Sequence, residues 1–166
     1  MTGTAAEDLI FGLLDNDVLN GGNGNDTLNG GMGSDTLNGG YGNDVYYGDG
    51  GDDLLSDSYS NNLSDSDTLD GGTGNDTLKG GGGNDTYIFK RGYGQDIIAD
   101  YGTSKSAYLP AKTVAGGNSD TLIFGDGITR DNLTWNFDGK DLVFSLLDTP
   151  TEKIITVLVI ALRISK

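Results

Sequence analysis

Residues 21–47 read GGNGNDTLN GGMGSDTLN GGYGNDVYY, three nine-residue units laid end to end. Each has glycine at the first, second and fourth places, aspartate at the sixth and an apolar or aromatic residue at the eighth. Outward from this stretch, aspartate recurs at 8, 17, 26, 35, 44 and 53, always nine residues apart. The register slips by five residues across 57–61 and resumes at Asp67, Asp76 and Asp85. Units beginning at Gly21, Gly30, Gly39, Gly71 and Gly80 follow G-G-x-G-x-D-x-U-x, with U apolar or aromatic. GTAAEDLIF (3–11), GLLDNDVLN (12–20) and NLSDSDTLD (62–70) depart from the glycine pattern, and GDGGDDLLS (48–56) departs at one place.

The places have distinct physical capacities. Glycines at the first, second and fourth permit positive φ and close backbone approach, so the loop can turn sharply and aim carbonyls inward. The seventh to ninth residues are expected to form a short strand. The eighth holds Ile10, Leu19, Leu28, Leu37, Tyr46, Leu55, Leu69, Leu78 and Tyr87, one inward side chain per unit. The seventh and ninth suit an outer sheet face. Such short strands are stable only when stacked, each pairing with neighbours above and below.

Two units make a coil of 18 residues, which predicts an all-β fold, a parallel β-roll solenoid. Asp8, Asp26 and Asp44 would stack along one edge and Asp17, Asp35 and Asp53 along the other. Paired carboxylates and carbonyls between stacked loops would offer about six hard oxygen ligands, which suits calcium better than magnesium. A flexible Gly/Asn/Asp linker would not need an apolar residue at every eighth place.

Composition narrows the function. The 166 residues carry 25 acidic and 10 basic side chains, a net charge of −15. That disfavours nucleic acid and anionic membranes as partners. With 29 glycines but only two prolines and no Gly-X-Y period, collagen is excluded. Histidine and cysteine are absent, so disulfides, His-dependent triads and His-bound zinc are excluded. MTGTAAEDLIFGLL at the N-terminus does not read as a signal peptide. Ile154 to Leu162, the most apolar run, is about half the length of a membrane-spanning helix.

Over roughly residues 3–96 the chain resembles the RTX, or haemolysin-type, calcium-binding nonapeptide repeats. The resemblance implies calcium between loops two units apart. The earlier loop gives carbonyls from its second and fourth places and its aspartate. The later loop gives carbonyls from its first and third places and its aspartate. One implied site uses Gly22, Gly24, Asp26, Gly39, Tyr41 and Asp44, and another Gly31, Gly33, Asp35, Gly48, Gly50 and Asp53. A third pairs Asp67 with Asp85, with carbonyls of Leu63, Asp65, Gly80 and Gly82. Further pairs are Asp17 with Asp35, bringing Gly30 and Met32, and Asp76 with Asp96, bringing Gly72 and Gly74. Leu13 and Asp15 stand where glycines are expected, which puts the earliest sites in question. The insertion at 57–61 could break sites, bulge out, or leave the stacking intact. Roughly five to seven calcium ions are expected, with folding coupled to their binding.

Beyond the repeats, Gly92, Gly94 and Asp96 form a last degraded unit, and 107–118 is expected to be a loop. The division expected is a roll over 1–96 and a small antiparallel β cap over 97–166, possible seat of a secretion signal. Asp138-Gly139 predicts a hairpin turn that sets Trp135 opposite Leu142 and Leu133 opposite Phe144, with an apolar face on the end of the roll. Trp135 is expected to be a core or cap residue. The tail 151–166 is expected to add one strand at the end of the cap sheet. This region resembles the haemolysin-type calcium-binding-related segment.

The family resemblance implies a bacterial protein exported by type I secretion machinery, its roll folding on extracellular calcium. The chain is expected to be a monomer, secreted, without intrinsic catalysis. The alternative is an adhesin or polysaccharide-binding RTX module, for which Lys79, Lys90 and Arg91 are the candidate basic strip. Third-place residues form no regular Thr or Asn array, which disfavours ice binding.

Overall fold

The computed structural model describes residues 1–57, 65–99, 120–138, 141–147 and 154–160. Its strands are β1 (Leu9–Leu14), β2 (Val18–Asn23), β3 (Thr27–Met32), β4 (Thr36–Tyr41), β5 (Val45–Gly50), β6 (Leu54–Ser56) and β7 (Thr68–Asp70). They continue as β8 (Thr77–Lys79), β9 (Thr86–Phe89), β10 (Ile97–Ile98), β11 (Thr121–Phe124), β12 (Leu133–Asp138), β13 (Asp141–Leu147) and β14 (Ile154–Ile160). A 3-10 turn, Arg130–Asn132, precedes β12. Among the described residues no helix is long and apolar enough to cross a membrane.

From β1 to β12 successive strands alternate between two sheets. One has the order β1-β3-β5-β7-β9-β11, the other β12-β13-β14-β10-β8-β6-β4-β2. Within the repeats every pairing is parallel, as when Leu28 sits beside Ile10 and Leu37 beside Leu19. This is the 18-residue coil of a β-roll. The first five strands run six residues rather than the three expected, since pairing continues through the first glycines of the next unit.

The eighth-place side chains fill the space between the sheets. Leu19, Leu28, Leu37, Tyr46, Leu55 and Leu69 are 0% exposed, and Ile10, Leu78 and Tyr87 are buried with them. Each such burial contributes about 1.5–3 kcal/mol, so no single coil can offset its own ordering and the stack folds as a unit. Tyr46 and Tyr87 solve a further problem, because each phenolic oxygen accepts the N–H of its unit's first glycine, Gly39 at 3.0 Å and Gly80 at 2.9 Å.

The insertion leaves the stacking intact. Val45 pairs with Thr68 and Leu54 with Thr77, so β5–β7 and β6–β8 keep their register across the extra residues. The native 18-residue step returns at Thr68 with Thr86.

Beyond the repeats both sheets continue. β11 adds to β9 in parallel, while β14 adds to β10 and carries the β12–β13 hairpin. The tail strand thus joins hairpin to roll rather than ending the sheet, whose edge is β12. The hairpin register differs from expectation, with Trp135 opposite Phe144, Leu133 opposite Leu146 and Asp138 opposite Asp141. The intervening pair is therefore 139–140. Because the shift is even, the same residues share a face. Leu146 is buried, and Phe144 packs edge-on to Phe124, which packs likewise on Phe89, closing the core. Trp135, expected in the core or cap, lies on β12 of the hairpin and is 65% exposed, so it is not a core residue. The loop expected at 107–118 lies outside the described residues.

Candidate metal centres

The turn between strands is where each unit's glycines act. Positive φ occurs at the second and fourth places, for example 105° at Gly40 and 129° at Gly42, but not at the first. First-place glycine serves space instead. A methyl group on Gly21 would lie 2.6 Å from the Gly39 carbonyl oxygen and would collide with the Asp26 carboxylate. Leu13 (φ 83°), Asp15 (φ 70°) and Asp49 (φ 70°), which stand at second or fourth places without glycine, adopt the left-handed backbone anyway, at a cost of about 1–3 kcal/mol each.

The aspartates form two continuous columns. The backbone N–H of each donates to Oδ1 of the aspartate one coil on, at 2.7–3.0 Å. One column runs Asp8, Asp26, Asp44, Asp67, Asp85, and the other Asp17, Asp35, Asp53, Asp76, Asp96. The second oxygen behaves differently. Oδ2 of Asp26, Asp35, Asp44, Asp53, Asp67, Asp76, Asp85 and Asp96 is buried with no hydrogen-bond partner. At the N-terminal end Asp8 and Asp17 fall outside this set, and Asp8 Oδ2 accepts from the Thr4 N–H at 2.6 Å and the Thr4 hydroxyl at 2.9 Å.

Burial raises the pKa values of seven of them, Asp26, Asp44, Asp53, Asp67, Asp76, Asp85 and Asp96, chiefly by desolvation. The N–H bond from the adjacent coil opposes the rise, and the stacked carboxylates add to it. Asp67 is pushed up to about 8, Asp53 and Asp96 to about 7, and Asp44, Asp76 and Asp85 to about 6. Asp26 is raised as well. An anionic column without counter-charge is the least favourable state such a stack can have.

The carbonyls expected around each pair lie between the same coils. For Asp26 and Asp44, the Gly22 and Gly24 oxygens face the α-carbons of Gly40 and Gly42, and the Gly39 oxygen faces Gly21. The Tyr41 oxygen accepts the Gly24 N–H at 2.8 Å. For Asp35 and Asp53, Gly33 oxygen faces Gly51, Gly31 oxygen approaches Gly50, and the Gly50 oxygen accepts the Gly33 N–H; Gly48 lies against the Asp53 carboxylate. The Gly30 oxygen faces Gly12 beside Asp17, while the Met32 side chain points to solvent, leaving only its backbone to the loop. For Asp67 and Asp85, the Asp65 oxygen faces Gly83, Gly80 adjoins the Asp85 carboxylate, and Gly82 is buried; Leu63 lies outside the described residues. For Asp76 and Asp96, the Gly74 oxygen faces Gly94, and Gly72, in the same turn, is left-handed.

Two pairings were not expected from the sequence. Asp44 pairs with Asp67 and Asp53 with Asp76 across the insertion. The second brings together the Asp49, Gly51, Gly71 and Thr73 carbonyls. Carrying the two-unit count through the register slip would have found them. The fifth place also went unread. There Asn16, Asn25, Asn43, Asp52 and Asn75 each accept the N–H of the fifth residue one coil on, at 2.7–3.1 Å.

Among the described residues no three carboxylates, imidazoles or thiols gather into a metal cage. A cation between coils would draw mainly on carbonyls, completed by two carboxylates. That all-oxygen, flexible donor set fits calcium and is poor for zinc or copper. The orphaned Oδ2 atoms are the groups such a cation would satisfy.

A parallel β-roll with two buried aspartate columns and a carbonyl-lined gap at each turn is the class that fold and site define. The RTX calcium-binding nonapeptide repeat (4 copies) matches residues 2–37, 25–55 and 63–98, more than half of the chain. The chain belongs to that family, whose repeats bind calcium. No curated protein matches it. Among solved structures it is similar to the extracellular lipase LipA from Serratia marcescens, at 20% identity and a TM-score of 0.35. The likeness covers 95% of this chain and 36% of the lipase, so the chain spans about a third of that protein's length.

Proposed function

We propose that this chain is a calcium-triggered folding module of a bacterial protein exported by type I secretion, and that it folds outside the cell. The row of buried Oδ2 atoms without partners carries the reading. Bound calcium supplies the positive charge that the columns lack. The aspartates and the second-, fourth-, first- and third-place carbonyls hold it, coil to coil, in the sets given above, roughly five to seven ions in all. Without it, like charges in a low-dielectric stack oppose folding, so binding energy becomes folding energy. Cytosolic calcium scarcity would keep the chain unfolded and exportable. The roll over 1–96 would complete on the strands of 97–166, which cover its far end.

Of the three basic residues that a polysaccharide-binding role would draw on, two are already engaged. Lys90 is held by Asp70 at 2.8 Å, and Arg91 donates to the Gly127 carbonyl at 2.9 Å. Circular dichroism in excess EGTA, then in millimolar calcium, tests the proposal. At pH 8 the expected result is β signal appearing only with calcium. A roll fully formed in EGTA would refute it.

A further inference from the structure

We propose that Asp120 completes an additional calcium site, with Asp85, beyond the last residue of the recognised repeats. The inference rests on the calcium reading above and extends it. The repeat match ends at residue 98. Nevertheless β11 joins the odd-numbered sheet in the register of a repeat strand, with Thr121 beside Thr86 and Leu122 beside Tyr87.

Three features of a repeat junction recur there. The Asp85 N–H donates to Asp120 Oδ1 at 3.0 Å, as each aspartate does to the next in its column. The Thr121 N–H donates to the Asp85 carbonyl at 2.8 Å, as Thr27 does to Asp8 and Val45 to Asp26. Leu122, two residues after Asp120, packs against the core as an eighth-place residue should. The sequence 115–123, AGGNSDTLI, agrees, with Asp120 at the sixth place, Thr121 at the seventh and Leu122 at the eighth. Its first and fourth places lack glycine, so the unit is hidden from a glycine-based reading.

The observation that points to a ligand is Asp85. It is 1% exposed, and its Oδ2 has no partner. Gly81 (φ 90°) and Gly83 (φ 125°) hold the same left-handed turn as the second- and fourth-place residues whose carbonyls face the next coil elsewhere. Their carbonyls, with the two carboxylates, give an oxygen set of the calcium type. A cation there would pin β11, and with it the strands that close the core, to the end of the repeats. The step between the two aspartates is 35 residues, so this junction draws in the longest connection of either column.

The test counts calcium bound to the full chain by equilibrium dialysis with metal analysis, for wild type, Asp120→Asn and Asp126→Asn. Asp126, in the turn after β11, lies outside the column and serves as control. The expected outcome is one ion fewer in Asp120→Asn at saturating calcium and an unchanged count in Asp126→Asn. An equal count in wild type and Asp120→Asn would overturn the inference and leave the calcium-binding roll standing. A wild-type chain that binds none would overturn both. Should Asp120→Asn fail to fold, the wild type decides the matter through the 13C shift of its Asp120 carboxylate during a calcium titration at fixed pH. That resonance should move with the Asp85 carboxylate, and one that stays fixed would overturn the inference.

Discussion

Replacing Asp44 by asparagine should have opposite effects with and without calcium. Asp44 joins three coils. Its Oδ1 accepts the Asp26 N–H at 2.8 Å, and its own N–H donates to Asp67 Oδ1 at 2.8 Å. Asparagine keeps an acceptor oxygen for the first bond and leaves the second untouched, so the column's geometry should survive. What changes is charge. Burial raises the Asp44 pKa from 3.8 to about 6. A folded-state value above the unfolded one means that the group's favourable contribution is present below about pH 4 and lost as pH rises through 6. At pH 8 the ionised carboxylate therefore opposes metal-free folding by about 3 kcal/mol, from roughly 1.4 kcal/mol per unit. Asp44→Asn removes that term. In calcium the same substitution deletes an anionic ligand shared by two gaps, weakening both. Thermal melts at pH 8 would compare the proteins in saturating calcium and in EGTA with a compaction-favouring osmolyte. Asp44→Asn should melt below wild type in calcium and above it in EGTA. A lower melt in both, or no change in calcium, would show that the carboxylate is a structural hydrogen-bonder and not a ligand.

Protons should partly replace the cation. With Asp53 and Asp96 near 7 and Asp67 near 8, acidifying the calcium-free chain from pH 8 to 5 should increase its β signal in circular dichroism, while calcium affinity measured by titration falls over the same range. Leu37→Ala, at a fully buried eighth place, should cost about 2–5 kcal/mol in denaturant unfolding of the calcium-loaded roll, and a loss below 1 kcal/mol would place the core elsewhere. Gly42→Ala sets a methyl group against the Gly24 carbonyl at φ 129°, so the calcium needed for half-folding should rise several-fold, whereas Met32→Ala, exposed on the same kind of turn, should leave it unchanged.

Most of the roll was legible because its repeat states the same physics many times. The eighth-place residues announce the core, and the nine-residue aspartate step announces the columns. Positions where one residue does two jobs were harder. First-place glycine reads as a conformational choice, yet it is there to clear a carboxylate and a carbonyl. Fifth-place asparagine reads as filler, because a single side chain-to-backbone bond leaves no periodic hydrophobic signal. Asp44–Asp67 and Asp53–Asp76 were hidden by the register slip, although the hydrogen bonds that fix each coil are local to it. The hairpin was placed correctly on its strands but two residues off in pairing, since Asp138 is itself a paired strand residue, opposite Asp141, instead of part of the turn. Trp135 sits in the hairpin as a cap residue but not in the core, because alternation assigns a face and not its depth of burial.

The coil that accommodates the insertion has a wider meaning. Its register is set at both corners by aspartate-to-backbone bonds, so a segment added between β6 and β7 has no phase to disturb. Such a solenoid can lengthen at its bends while its spine stays in step. A foreign peptide spliced in between β6 and β7 would leave β5 paired with β7 and β6 with β8, on a scaffold whose assembly answers to an ion.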